Sequence, residues 1–413
     1  MNTRRVAYET LMSVIEEGAY SNLALKNASK KVSQEEISFL YALVYSALEH
    51  KSYIEYILAH YCKRQKKVVR VILLLAVSEL LFLSTPSHAV INEAVKLTKV
   101  LGKSTSCGLV NAVLRRIDVE RHSLPLVPEN PSDRLTVLYG CPDYMAKEWI
   151  ENYGIEEAER IVSRHSSRMQ IRAQYPYTTK ELIAALTCSY TEGKLDSNCL
   201  YLDEALNLEC SELFLSGKIA IQNEGSMMIC RSLKDLHAAK VLDACAAPGG
   251  KSAYLASLHQ NNIDLTCWEI HKHRKELIDA TFSRLHVDAK VEERDSTVSY
   301  PEFNCTFDAV LLDVPCSGFG LFVDKPDLRF RKNDSDINTL CHIQAKILST
   351  CCEYVKPGGK LVYSTCTISK RENENQVSSF LSTRHDYTLL EQKQFLPQLD
   401  GIDGFYYAVM KRS

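Results

Sequence analysis

Two cysteines carry most of the chemical information in this chain. Cys316 lies in Leu311-Leu312-Asp313-Val314-Pro315-Cys316-Ser317-Gly318, and Cys366 lies in Tyr363-Ser364-Thr365-Cys366-Thr367. Each follows an apolar run of strand length. A further such run leads into Asp243-Ala244-Cys245-Ala246-Ala247-Pro248-Gly249-Gly250-Lys251-Ser252. Singly, a cysteine is more often a small buried hydrophobe, and a Gly-Gly turn after a strand is as often only a turn. Together, a glycine turn after a first strand and two strand-end thiols imply a nucleotide-type cofactor beside a sulfur nucleophile. That combination suits methyl transfer to a pyrimidine carbon. Carbon 5 of cytosine does not take a methyl group directly, but a thiolate adding at carbon 6 makes carbon 5 enamine-like. A base must then remove the carbon-5 proton so that the thiol can leave. The chemistry needs an activated cysteine, an acid beside the base ring and a proton acceptor. Cys366, Asp313 and Cys316 can fill these roles.

Ligands of an open parallel sheet bind beyond the carboxyl ends of its strands, where the run from Asp243 to Ser252 falls. Gly249 and Gly250 allow a tight turn and close backbone approach. Pro248 breaks the dinucleotide fingerprint, and Gly250-Lys251-Ser252 lacks the upstream glycine of a Walker A loop. Glu269 follows the glycines by about 20 residues, where a carboxylate can accept hydrogen bonds from ribose hydroxyls. Asp295 follows the third strand and is either a contact for an adenine amine or a surface-turn aspartate.

The elements that must position these residues are legible from Lys240 onward. Val241–Asp243, Leu265–Trp268, Lys290–Glu292, Phe307–Leu312 and Lys360–Tyr363 read as strands separated by helical patterns. This predicts a parallel sheet covered on both faces. A helix bearing Ile337, Leu340, Ile347, Leu348, Cys351 and Val355 is predicted to stop at Pro357-Gly358-Gly359. Gly404–Met410 reads as a last strand. Residues 1–120 read as helix after helix, with Ser84-Thr85-Pro86-Ser87 as a break that can cap the next helix. A Pro-rich stretch from Leu124 to Pro131 has the composition of a linker. Residues 132–235 mix helical runs with alternating ones such as Met169–Ala173, as a small α+β domain would. The predicted division is 1–122, 132–235 and 236–413, in a multidomain chain: an all-α bundle, a small α+β domain and a C-terminal α/β domain.

Net charge is −2 over 413 residues, which is silent about nucleic acid. Residues 1–120 nonetheless hold 16 Lys and Arg against 11 Asp and Glu. The densest run, Lys63 to Arg70, is as well read as a solvated helix face as an RNA-backbone contact. The 15 cysteines include no CxxC pair. That fits neither a disulfide framework nor a zinc site and implies a reducing compartment. The N-terminus has no signal-peptide core. The longest apolar stretch, Val71 to Leu83, is interrupted by Ser78 and Glu79 and is shorter than the ~20 residues a bilayer requires. A cytoplasmic monomer without membrane or metal partners is expected.

At this point the chain resembles a known family. Asp243 to Lys251, Asp313 to Gly318 and Ser364 to Thr367 look like the hallmark motifs of RNA cytosine-5 methyltransferases of the NOL1/NOP2/Sun group. Ile221 to Ser226, Lys325-Pro326-Asp327, Glu372-Asn373-Glu374 and Asp403 to Tyr406 also match. The helical N-terminus is similar to a NusB-like RNA-binding domain, nearest at Leu109 to Arg116. Both halves together look like the bacterial RsmB subgroup. The resemblance implies a Rossmann-like catalytic domain and modification of small-subunit (16S) ribosomal RNA during ribosome biogenesis. It implies S-adenosylmethionine held by Cys245, Ala246, Ala247, Pro248, Gly249, Gly250, Lys251, Glu269, Asp295 and Asp313. It implies Cys366 as nucleophile, Cys316 as the residue that helps release product, and Lys251 near cofactor and base. Asn223 stands where Asp is usual, Phe319 where a small residue is common, and Ala173-Gln174 where Val-Asn is typical.

Three other readings compete. Transfer RNA is an alternative substrate that the catalytic motifs do not exclude. A chain acting only as an RNA-binding ribosome assembly factor would work through residues 1–120. An adenine-amine methyltransferase would carry an Asp/Asn-Pro-Pro-aromatic motif where this chain has Asp313-Val314-Pro315-Cys316.

Overall fold

The computed structural model describes residues 2–63, 65–163, 168–203, 208–322, 325–330 and 333–413. Arg64, within the basic run, lies outside the described residues. The chain divides into two compact units, 1–163 with 322–333, and 164–321 with 334–413.

The first unit is helical: α1 (Thr3–Glu16), α2 (Ser21–Ser29), α3 (Ile37–Glu49), α4 (Lys51–Tyr61), α5 (Lys67–Phe82), α6 (Ser87–Val100), α7 (Cys107–Val119), α8 (Pro131–Tyr139), α9 (Asp143–Tyr153) and α10 (Ile155–Ser163). Helix α5 is buried without interruption from Val71 to Leu80. A helix apolar on all sides belongs at the centre of a core. Its two polar residues are satisfied there. The Ser78 hydroxyl meets that of Ser46 at 2.8 Å, and Glu79 accepts from Arg4 Nε at 2.9 Å. Surrounding helices bury one stripe each, as α7 does with Val110, Val113, Leu114 and Ile117. Pro86 is the cap residue of α6 and no side chain caps that helix, so the expected Ser/Thr cap does not form. In the basic run, Lys67 pairs with Glu16 at 2.6 Å and Arg70 pairs with Glu55. The segment 322–333 also belongs here: Ser21 Oγ donates to Asp327 at 2.5 Å, and Arg329 donates to the carbonyls of Glu49 and Tyr139.

The second unit holds two sheets. The smaller contains β1 (Met169–Ala173), β2 (Tyr190–Glu192), β3 (Cys199–Leu202) and β4 (Ile219–Ile221), with α11 (Thr179–Ala185) and α12 (Glu212–Leu215) between them. Its order is β2-β3-β1-β4 and all its pairings are antiparallel. After α13 (Glu224–Arg231) come β5 (Lys240–Asp243), α14 (Gly250–Leu258), β6 (Asp264–Glu269), α15 (Lys272–Leu285), β7 (Lys290–Glu293), β8 (Phe307–Asp313), α16 (Asp334–Cys351), β9 (Val355–Thr365), α17 (Glu374–Thr383), β10 (Tyr387–Phe395), α18 (Pro397–Asp400) and β11 (Phe405–Arg412). The larger sheet runs β10-β11-β9-β8-β5-β6-β7, parallel from β5 to β9, with β11 and β10 antiparallel.

Val241 and Leu311 lie in one hydrophobic cluster, while Leu242, Val310 and Leu312 lie in another. Burial on both faces is why these strands read as continuous apolar runs. Two expectations need correction. Val355 opens β9 rather than extending α16, and Pro357-Gly358-Gly359 lies within that strand. Strand β10 carries mostly polar residues at the sheet edge and has no apolar run to read; pairing with β11 forms it.

Candidate active site

Strand order reverses beside β5, which has β6 on one side and β8 on the other. Such a switch point opens a crevice at the carboxyl ends of the strands. Asp243, Glu269 and Asp313 end β5, β6 and β8, and Ser364 is the register partner of Asp313. The sheet therefore brings the sequence-predicted residues to one edge.

The loop after β5 holds Cys245 to Gly250. Ala246 N donates to the Trp268 carbonyl at 3.0 Å, and Gly249 N donates to the Ala246 carbonyl at 2.7 Å. Gly249 has φ of 100°, the left-handed region that glycine tolerates, and a Cβ there would lie 3.1 Å from the Phe282 ring. A Cβ at Gly250 would meet nothing within 4 Å, so the start of α14 faces open space. The Pro248 ring follows a cis peptide bond. Asp243 is buried beneath this loop, accepting from Cys245 N at 3.3 Å and from the Ser252 hydroxyl. Burial raises its pKa to about 6. Burial likewise pushes the Cys245 thiol well above its ordinary value.

Glu269 and Asp295 are held by their own loops. Glu269, 4% exposed, accepts from His271 N at 3.0 Å and pairs with Arg274 at 3.3 Å; Arg274 also donates to the Ala247 carbonyl. Asp295 Oδ1 accepts from the backbone and hydroxyl of Thr297 at 2.8 and 2.7 Å. Acceptor carboxylates on successive strand ends, an open glycine turn and a helix N-terminus match a nucleoside carrying ribose hydroxyls and an exocyclic amine.

Lys251, in the first turn of α14, reaches Asp313 with Nζ–Oδ2 at 2.7 Å. Ser364 Oγ donates to the other oxygen of Asp313 at 3.0 Å. Burial alone would lower the Lys251 pKa, but Asp313 and then Cys366 outweigh it, and the net shift is upward. The two predicted thiols meet: Cys316 Sγ and Cys366 Sγ are 3.3 Å apart. The hydrogen bond to Cys366, together with burial, pushes the Cys316 thiol well above its ordinary value. Among the described residues no cysteine is in a disulfide, no group of three or more His, Cys, Asp or Glu side chains could hold a metal, and no helix is long and apolar enough to cross a membrane.

Several residues without an assigned role support this pair. Glu372 accepts from Ser317 N at 2.8 Å, from Ser317 Oγ at 2.5 Å and from Gln344 Nε2 at 3.0 Å. Asn373 accepts from Thr365 Oγ1 at 2.6 Å and donates to the Thr367 carbonyl at 3.0 Å, so it brackets Cys366. Glu372 and Asn373 lie in the Glu372-Asn373-Glu374 stretch noted above, which is the sequence signal for this support. Distant motifs also converge. Asn223 caps α13 through Gly225 N and donates to Asp403, and a Cβ on Gly225 would lie 2.4 Å from the Phe405 ring. A carboxylate at position 223 would face that of Asp403, so the amide suits its partner. Phe319 is buried, and Gln174 links Arg172 to the Ala253 carbonyl. The Lys325-Pro326-Asp327 motif belongs instead to the first unit.

Comparison with known proteins identifies the family and the fold. The model of the 16S rRNA methyltransferase RsmB/F family matches residues 231–411, and the NusB family model matches residues 1–118. A probable ribosomal RNA small subunit methyltransferase B of Bacillus subtilis is 34% identical, covering 100% of this chain and 99% of its own length. The ribosomal RNA small subunit methyltransferase B of Xanthomonas campestris is 28% identical over 100% of this chain and 97% of its own length. The crystal structure of PH0851 shares the fold, with a TM-score of 0.85, 22% identity, and 100% and 99% of the two chains covered. This chain belongs to the RsmB/F family of 16S rRNA methyltransferases, enzymes dependent on S-adenosylmethionine, and carries a NusB-family region at its N-terminus.

Proposed function

We propose that this enzyme methylates carbon 5 of a cytosine in small-subunit ribosomal RNA through a transient covalent bond to Cys366. The observation that carries this reading is the pair of strand-end thiols 3.3 Å apart beside the Lys251–Asp313 ion pair. S-adenosylmethionine, when bound, supplies the electrophilic methyl group. Cys245, Ala246, Ala247, Pro248, Gly249 and Gly250 line its place, with Glu269 for ribose hydroxyls and Asp295 for the adenine amine. Cys366 forms a carbon–sulfur bond at carbon 6 and returns electron density to carbon 5. Lys251 sets a positive charge near Cys366, which favours negative charge on the attacking sulfur. Asp313, oriented by Ser364 and Lys251, is the polar group at the base ring. After methylation the carbon-5 proton must leave, the carbon 5–carbon 6 double bond re-forms, and Cys366 departs. Cys316, whose sulfur touches that of Cys366, serves that release step: its sulfur, as the thiolate, accepts the carbon-5 proton, the carbon–hydrogen electron pair re-forms the double bond, and Cys366 leaves with the carbon–sulfur pair.

The test is methylation of unmodified small-subunit ribosomal RNA and of transfer RNA with labelled donor, followed by mapping of 5-methylcytosine. Label at one ribosomal cytosine, abolished by Cys366→Ala with RNA binding retained, is the expected result. Full activity of Cys366→Ala would remove the nucleophile assignment. Cys316→Ala should accumulate an RNA–protein adduct stable to denaturing gel electrophoresis, because attack survives while release fails.

A further inference from the structure

The two thiol loops are joined by a second contact, one residue beyond each cysteine. Ser317 Oγ and Thr367 Oγ1 are 2.8 Å apart. Ser317 Oγ is also 2.5 Å from Glu372 Oε1, while Glu372 Oε2 accepts from Ser317 N and Gln344 Nε2. Donors thus converge on both oxygens of Glu372. A hydroxyl has one proton to give. Ser317 gives its proton to Glu372, so Thr367 must donate the bond between the two hydroxyls. Ser369 N approaches Thr367 Oγ1 at 3.4 Å as a donor, consistent with that orientation. The chain of hydrogen bonds is therefore directional: Thr367 to Ser317 to Glu372.

All three members are buried: Ser317 is 1% exposed, and Thr367 and Glu372 are 0% exposed. A buried, fully oriented chain holds its geometry more firmly than an exposed loop does. Each end has an independent anchor. Glu372 binds Ser317 through the backbone as well as the hydroxyl, and Asn373 fixes the Thr367 carbonyl. The bond from Thr367 Oγ1 to Ser317 Oγ ties the residue after Cys316 directly to the residue after Cys366, and acts with Val314 N to the Ser364 carbonyl and Gly320 N to the Cys366 carbonyl in holding the two loops together.

Resting on the thiol roles proposed above, we infer that Thr367 is a positioning residue for product release. Through Ser317 and Glu372 it holds the Cys316 thiol against the Cys366 sulfur, and carbon–sulfur bond formation at Cys366 does not need that contact. Thr367→Val keeps the shape and removes the donor. It should lower kcat about tenfold, the size expected for one lost buried hydrogen bond. KM for ribosomal RNA should stay unchanged, and the gel-stable RNA adduct should rise. Thr367→Ser should restore both kcat and the low adduct level. Ser317→Ala, which keeps the backbone bond to Glu372, should reproduce the Thr367→Val pattern and serves if Thr367→Val does not fold.

Wild-type kcat and adduct level in Thr367→Val, beside a Cys316→Ala control that does trap adduct, would overturn this inference alone. So would activity lost in Thr367→Val without adduct and without rescue by Thr367→Ser, the pattern of a packing defect. A Cys316→Ala control that traps no adduct would overturn the thiol assignment itself and this inference with it.

Discussion

Asp243 sits buried at the end of the central strand, and its burial has a consequence for pH. Its pKa rises from 3.8 to about 6 in the folded chain. Between those values the folded state holds a proton that the unfolded state has lost, so stability falls as pH rises through that window. Above about pH 6 the buried carboxylate costs at most about 3 kcal/mol. Asp243→Asn removes the titration and keeps an acceptor for Cys245 N. Denaturant unfolding of the two proteins should show a difference that grows in favour of the Asn variant from about pH 4 to about pH 7. A difference independent of pH would show that Asp243 does not titrate in this window. A buried carboxylate of this kind, beneath the loop proposed above to hold the cofactor, is the local stability penalty expected at a functional site.

Among the elements, one tight constraint is a crossing of two backbones beside the Cys366 carbonyl. Gly320 N donates to the Cys366 carbonyl at 3.0 Å, and Gly404 N donates to the Gly320 carbonyl at 2.9 Å. A Cβ at Gly320 would fall 1.8 Å from the Gly404 oxygen and 2.9 Å from the Cys366 oxygen. Neither backbone can move without displacing β9 or β11. Gly320→Ala should therefore destabilise the protein by about 1–3 kcal/mol and reduce methylation by shifting Cys366. Calorimetry and a labelled-donor assay read the two effects; an unchanged Tm would mean that the crossing has room for a methyl group. Phe319 beside it fills core space, which accounts for a large residue where a small one is common.

For the whole molecule, the charge distribution bears on RNA binding. Of the basic run, Lys67 and Arg70 are engaged by Glu16 and Glu55, while Lys63 and Lys66 are exposed. Those two ion pairs offset part of the positive charge that the composition of the run suggests. Substituting Lys63→Gln and Lys66→Gln together should weaken binding of ribosomal RNA uniformly across sequences. It should reduce the slope of log affinity against log salt by about 0.7–0.9 for each phosphate no longer neutralised. An unchanged slope would place both lysines on a solvated face away from RNA.

The sequence by itself determined the class of the fold and which chemistry-bearing residues fall at the carboxyl ends of its strands. Strands buried on two faces are written as apolar runs, and Gly249, Lys251, Asp313, Cys316 and Cys366 stand out because each falls at or soon after the end of such a run. The helical N-terminus was equally plain, since α5 carries its apolar surface on every side. What only the tertiary structure decided was contact between positions far apart in the chain. The 3.3 Å thiol pair, the Lys251–Asp313 bridge, the Thr367–Ser317–Glu372 chain and the Gly320–Gly404 crossing each join segments from different elements. Strand β10 belongs with them, because its polar residues become a strand only against β11. Local pattern records which face of an element is buried. It does not record which neighbour buries it, and the geometry of this site is made of neighbours.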